Sequence, residues 1–164
     1  MRVGQALGLR HADFVSRKRE VHIVPRAGNA NGARAKLRSA AVVPVSVPLV
    51  RLYSEYMHVE YGGIDSDYVF VNLFGGQVGA AMTYTAVHKL TGRIAARTGT
   101  GFTAHMLRHS HATAMIRQGV PIEVVARLLT HRSSTTTSQT YVHLDAAGIR
   151  EALRRAGAWQ EEGT

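Results

Sequence analysis

Apolar residues recur at helical spacing over most of the chain and at strand spacing in two short stretches. The β-branched runs EVHIVPR, residues 20–26, and AAVVPVS, residues 40–46, predict two strands. The turn-rich, basic connector between them makes the pair an antiparallel hairpin with a long loop. Over residues 48–61, Leu49, Leu52, Tyr53 and Tyr56 form the stripe of an amphipathic helix, the ordinary signature of core packing. Residues 67–73, DYVFVNL, predict a short apolar strand or extended segment, Gly75 and Gly76 a turn, and residues 83–97 a helix that ends at a turn over 98–101. Two more helices follow. Thr103 is placed to cap the first, Gly119 to end it in a left-handed conformation, and Pro121 to open the second at its first position. Ile122, Val125, Leu128 and Leu129 form the buried stripe of that second helix. Residues 132–140 are nearly all hydroxyl and amide residues, too polar for a core element. Residues 145–159 predict a last helix, capped by Asp145, with Ile149, Ala152, Leu153 and Ala156 on one face. At the other end, residues 1–10 have helical spacing in Val3, Ala6, Leu7 and Leu9 but begin without a cap. The expected fold is mainly α with a small antiparallel β-sheet, an α+β domain spanning residues 1–164.

Composition adds the sign of the partner. With 20 Lys and Arg against 11 Asp and Glu, the 164-residue chain carries a formal charge of +9, which favours a polyanion, with nucleic acid leading. It has no cysteine, which excludes disulfides and thiolate metal sites. No apolar run approaches a membrane span and the start of the sequence lacks a signal-peptide shape, so a soluble, cytoplasmic protein is expected.

The chemistry concentrates between residues 105 and 141. His105 and Arg108 are three apart and leave one face of one helix. The next helix ends by presenting His131, and the polar run after it delivers a single Tyr141. Arginine and imidazole cations followed by a tyrosine suit attack on a phosphodiester. The planar guanidinium matches two phosphate oxygens and can stabilise the added charge of a pentacoordinate transition state. A phenol, with an ordinary pKa of about 10, is a nearer nucleophile to neutrality than serine. Metal chemistry is the competing use of these histidines, since His105 and His109 are four apart with His111 and His131 nearby. There is no H-E-x-x-H and no acidic residue between Phe102 and Gln118, and Arg108 and Arg117 oppose a divalent cation, so no metal is expected.

These residues resemble the tyrosine recombinases, also called the phage integrase family. The family pattern of H-x-x-R, an L-L-G-H type motif and a tyrosine before a T-H pair is matched by His105-Met-Leu-Arg108, Leu128-Leu129-Thr130-His131 and Tyr141-Val142-His143. Thr130 stands where the family usually has Gly, and the His131 to Tyr141 interval is ten residues where nine is commoner. MRVGQALGLR is similar to the family's G-L-R-x-x-E segment with its beginning cut off, which assigns Arg2 to the first catalytic arginine and puts Gln5 where the family prefers Glu. The chain is therefore expected to be an N-terminally truncated fragment. The family's hairpin lysine, which protonates the leaving 5' oxygen, corresponds to Lys36, eight residues before Pro44. Arg34 and Arg38 flank it and suit the DNA backbone without base specificity.

The resemblance implies site-specific DNA strand exchange on double-stranded DNA. Tyr141 would form a 3'-phosphotyrosyl link, with Arg2, Arg108, His105 and His131 stabilising the transition state and Lys36 as general acid. It implies no cofactor, a homotetramer on DNA for the full-length protein, and a C-terminal helix docked either on its own domain or on a neighbouring protomer. Two rival expectations remain: a helix-turn-helix regulator built on MIRQGVPIEVVARLLTH, without catalysis, and a catalytically silent recombinase fragment.

Overall fold

The hairpin forms, and gains a strand. In a computed structural model describing residues 1–35, 39–129 and 145–159, β2 (Glu20–Ile23) pairs antiparallel with β3 (Ala41–Pro44), placing Val21 opposite Val43 and Ile23 opposite Ala41. β1 (Phe14–Val15) adds to the other edge of β2, giving a three-stranded sheet in the order β1-β2-β3. Two residues are too few to show a period-2 pattern, so β1 leaves no trace in the sequence. Val21 and Ile23 point into the core at 1% exposure each.

Among the described residues six α-helices accompany the sheet: α1 (Val3–Leu7), α2 (Val47–Glu55), α3 (Tyr84–Thr98), α4 (Ala104–Arg117), α5 (Ile122–Leu128) and α6 (Ala146–Arg155). Three helix starts are capped by short local bonds, those at Thr103 and Asp145 as predicted. Thr83 Oγ1 accepts from the Ala86 N–H at 3.2 Å, Thr103 Oγ1 from the Met106 N–H at 3.2 Å, and Asp145 Oδ1 from the Gly148 N–H at 2.8 Å. Gly119 is left-handed at φ 84°, as a residue just past a helix end requires. Pro121 sits one position outside α5, extended at ψ 139°, so it caps that helix and does not open it.

Three local expectations are corrected. The start of α1 is capped after all: the Arg2 backbone N–H donates to Gln5 Oε1 at 2.5 Å, because a side-chain amide three residues into a helix can reach back to its N-cap. In α2, Leu49 and Leu52 are 42% and 60% exposed, and Val50 with Tyr53 packs on the sheet core. Tyr53 stacks on Phe14 with ring centroids 3.9 Å apart, so β1, the strand without a sequence signal, chooses which face of α2 is buried. In α5, Ile122 is 63% exposed while Val124 is buried, because Val124, Val125 and Leu128 together face Ile149 and Leu153 of α6.

The helix of residues 48–61 runs its predicted length, finishing in one wide turn over Tyr56–Tyr61. Residues 67–73 form no strand: the chain bends at 67, 69 and 70 and makes isolated bridges, Arg10 with Tyr68 and Val71 with Ala81. Two main cores result, one around β2 and one under α4, α5 and α6, with Val43 of β3 packed against both. Arg150 of α6 reaches the sheet: its Nη2 donates to the Lys18 carbonyl at 2.6 Å and to Glu20 at 2.8 Å. By contrast α3 buries no residue and α4 buries only Met115. No helix among the described residues is long and apolar enough to cross a membrane.

Candidate functional site

The Thr103 cap starts α4 so that its first two turns present His105 and Arg108 on one side. Arg108 Nη2 donates to the Leu129 carbonyl at 2.6 Å, an acceptor left over where α5 ends. Its Nη1 is buried and has no hydrogen-bond partner among the described residues. Arg2 arrives from the other end of the sequence, at the N-cap of α1. Arg2, Val3, Ala104, His105, Arg108 and His109 line one cavity of about 280 Å³.

The charge of the residues lining this cavity suits an anion. No carboxylate is among its described lining residues. Burial, and then the charge of Arg2, push the Arg108 guanidinium below its ordinary pKa, and no carboxylate among the described lining residues compensates the pair. A phosphate oxygen between them would supply that compensation and give the buried Nη1 its acceptor. Larger hollows exist, about 510 Å³ within residues 25–35 and about 570 Å³ between α3 and α4, but neither gathers two arginines and two histidines.

His105 and His109 meet through their Nε2 atoms at 2.8 Å, with ring centroids 4.3 Å apart and planes at 74°. One ring must carry the proton and the other offer a lone pair, so the two imidazoles share a hydrogen at the mouth of the cavity. His109 is thus a hydrogen-bonding residue, and its partner is the histidine of the H-x-x-R motif.

Of the sequence-predicted site residues, Arg2, His105 and Arg108 are therefore together. Arg34 is exposed, and its backbone carbonyl abuts α1: a Cβ on Gly4 would stand 2.6 Å from that oxygen. Lys36, Arg38, His131 and Tyr141 lie outside the described residues. Sequence reasoning placed Gln5 only at the family's Glu position and missed its role: buried at 2% exposure, it holds the backbone of Arg2. Its signal was present in the i to i+3 spacing of a capping box. The Leu129 carbonyl had none, since every residue carries one.

A sheet-bearing helical domain with this cation cavity has the fold of the tyrosine recombinase catalytic domains. The XerA recombinase superposes with a TM-score of 0.63 at 22% identity, covering 94% of this chain and 52% of the other. The Tn1549 transposon integrase, in complex with a circular intermediate DNA, superposes at 0.67 with 16% identity, covering 94% and 54%. A sequence model of the phage integrase family matches residues 1–147, and the chain belongs to that family. Among its relatives, transposase A from transposon Tn554 of Staphylococcus aureus is 43% identical over 156 residues, 94% of this chain and 43% of the relative. Tyrosine recombinase XerD of Corynebacterium glutamicum is 31% identical over 155 residues, 94% of this chain and 48% of the relative. The chain thus spans less than half the length of these relatives.

Proposed function

We propose that this chain is the catalytic domain of a site-specific DNA recombinase that cuts and rejoins double-stranded DNA through a phosphotyrosine. The observation that carries the reading is the meeting of Arg2, Arg108 and His105 at one acid-free cavity, although Arg2 and Arg108 lie at opposite ends of most of the sequence. The scissile phosphate occupies that cavity. The Tyr141 oxygen attacks phosphorus as its proton passes to His105, the P–O5' bond breaks, and Lys36 gives the leaving 5' oxygen its proton. The product is a 3'-phosphotyrosyl ester and a 5' hydroxyl, and attack by another 5' hydroxyl reverses the step on a new partner. One ester replaces another, so no nucleotide or metal is consumed. Arg2, Arg108, His105 and His131 stabilise the charge of the transition state, where removal of one donor costs on the order of 10²-fold in rate.

The family membership and the names of the relatives, a transposase and tyrosine recombinases, support this chemistry. The likeness to an integrase in complex with DNA supports double-stranded DNA as partner. The positive charge suits the same polyanion, with Arg34 and Arg38 on its backbone. Strand exchange between two duplexes calls for four cuts, hence a homotetramer on DNA acting at the bacterial nucleoid.

A nicked suicide substrate tests the reading, because loss of the 5' hydroxyl fragment traps the covalent intermediate. A protein–DNA adduct that disappears in Tyr141→Phe is expected. DNA binding with no adduct would instead indicate a regulator without chemistry.

A further inference from the structure

The loop between β2 and β3 is held by one side-chain amide. Asn31 Nδ2 donates to the Leu7 carbonyl at 2.9 Å, at the end of α1, and to the Met82 carbonyl at 2.8 Å, just ahead of α3. Its Oδ1 accepts from the Ala33 N–H at 3.0 Å. Only the last of these bonds shapes the local turn. The two donations reach across to other segments, with sequence separations of 24 and 51 residues.

The rest of the loop is tied to the same body. Asn29 Nδ2 donates to the Ala33 carbonyl at 2.8 Å, and the Ala30 N–H donates to the Tyr68 hydroxyl at 2.9 Å. Arg10, its guanidinium 3.6 Å above the Tyr68 ring, donates to Asn29 Oδ1 at 3.3 Å. At the loop base, Arg26 donates to both oxygens of Asp13, at 2.7 and 2.6 Å, and Asp13 is 3% exposed. Past the clamp, the Arg34 carbonyl sits against Gly4 of α1, the helix whose N-cap is Arg2. Yet Gly28 and Gly32, on either side of Asn31, are left-handed at φ 73° and 69° with nothing near them. A glycine-flanked segment of this kind is mobile unless tertiary bonds hold it.

We infer that Asn31 is a positioning residue: its two donated bonds fix the described part of the β2–β3 loop to the Arg2 helix, and proton delivery to the leaving oxygen depends on that anchorage. The inference rests on the recombinase reading above, in which Lys36, five residues further along the sequence, protonates the leaving oxygen.

The test uses the full gene product containing this sequence and two DNA substrates, one ordinary and one with sulfur bridging at the scissile 5' position. A thiolate leaves without a proton, so the second substrate bypasses the general acid. Asn31→Asp keeps the acceptor for Ala33 and removes both donors, and Asn31→Ala removes all three bonds. In single-turnover cleavage both variants should be slowed about tenfold or more on ordinary DNA. The sulfur substrate should restore them to near the wild-type rate, as it does Lys36→Ala, while Arg108→Ala stays slow on both. Wild-type rates for both variants, equal slowing on the two substrates, or failure of both to fold would overturn the inference alone. A wild-type protein that forms no Tyr141-dependent adduct on either DNA would overturn the recombinase reading, and this inference with it.

Discussion

Arg108 of α4 and Leu129 at the end of α5 are joined by a 2.6 Å hydrogen bond from the guanidinium to the backbone carbonyl, across 21 residues of sequence. The bond spends Nη2 on orientation, while Nη1 is buried with no hydrogen-bond partner among the described residues. A lysine supplies the same charge but not a rigid fork, so it cannot hold the carbonyl and meet an anion in one geometry. Arg108→Lys should therefore cleave DNA on the order of 10²-fold more slowly, with DNA affinity changed about twofold or less. Single-turnover rates beside equilibrium binding check this, and a wild-type rate in the lysine variant would refute it.

Gln5 fixes the backbone of the other arginine. Its side chain is 2% exposed, so Gln5→Ala leaves the Arg2 N–H without its acceptor and opens a void under α1. A loss of about 1–3 kcal/mol is expected, visible as a lower Tm. Gln5→Glu keeps the acceptor and should recover most of that loss. Thermal unfolding of the two variants side by side is the measurement.

Two glycines should respond to alanine in opposite directions. At Gly4 the added methyl meets the Arg34 carbonyl at 2.6 Å as well as the Tyr84 hydroxyl, and a backbone carbonyl pinned in the clamped loop cannot step aside. Gly4→Ala should cost about 1–3 kcal/mol. Gly92, inside α3, has nothing within 4 Å of such a methyl. Gly92→Ala should raise stability by about 0.5–1 kcal/mol, because alanine loses less backbone entropy in a helix. Denaturant midpoints of the two variants should move apart.

Anchoring of α6 should depend on pH. Burial alone would raise the Glu20 carboxyl, but hydrogen bonds from His22 and Arg150 outweigh it and hold the pKa below the ordinary glutamate value. A carboxyl depressed in the folded state stabilises above its unfolded pKa of about 4.3, and that contribution is lost as pH falls through the folded value. At pH about 7, Glu20→Gln should be less stable by about 1–2 kcal/mol, since Arg150 loses a charged acceptor. Below pH about 4.3 the wild-type Tm should drop more steeply and the two curves converge. Parallel curves throughout would show that Glu20 does not anchor α6.

The amino-acid sequence by itself determined the features that neighbouring residues decide among themselves. Thr83, Thr103 and Asp145 satisfy N–H groups of their own helices, so the starts of α3, α4 and α6 were legible. The shared face of His105 and Arg108 follows from helical pitch alone, and the hairpin from its β-branched runs. The family pattern supplied Arg2, which no local rule would have singled out. Tertiary structure decided the rest. Leu49 and Val50 are both apolar on α2, and only contact with Phe14 and the sheet core settled that Val50 faces inward; the same holds for Ile122 and Val124 against α6. Arg2 reached Arg108, and Asn31 reached Leu7 and Met82, through chain reversals that sequence spacing does not record. The acceptors that fix Arg108 and Asn31 are backbone carbonyls, identical in every residue type, so only folding could say which of them would be used.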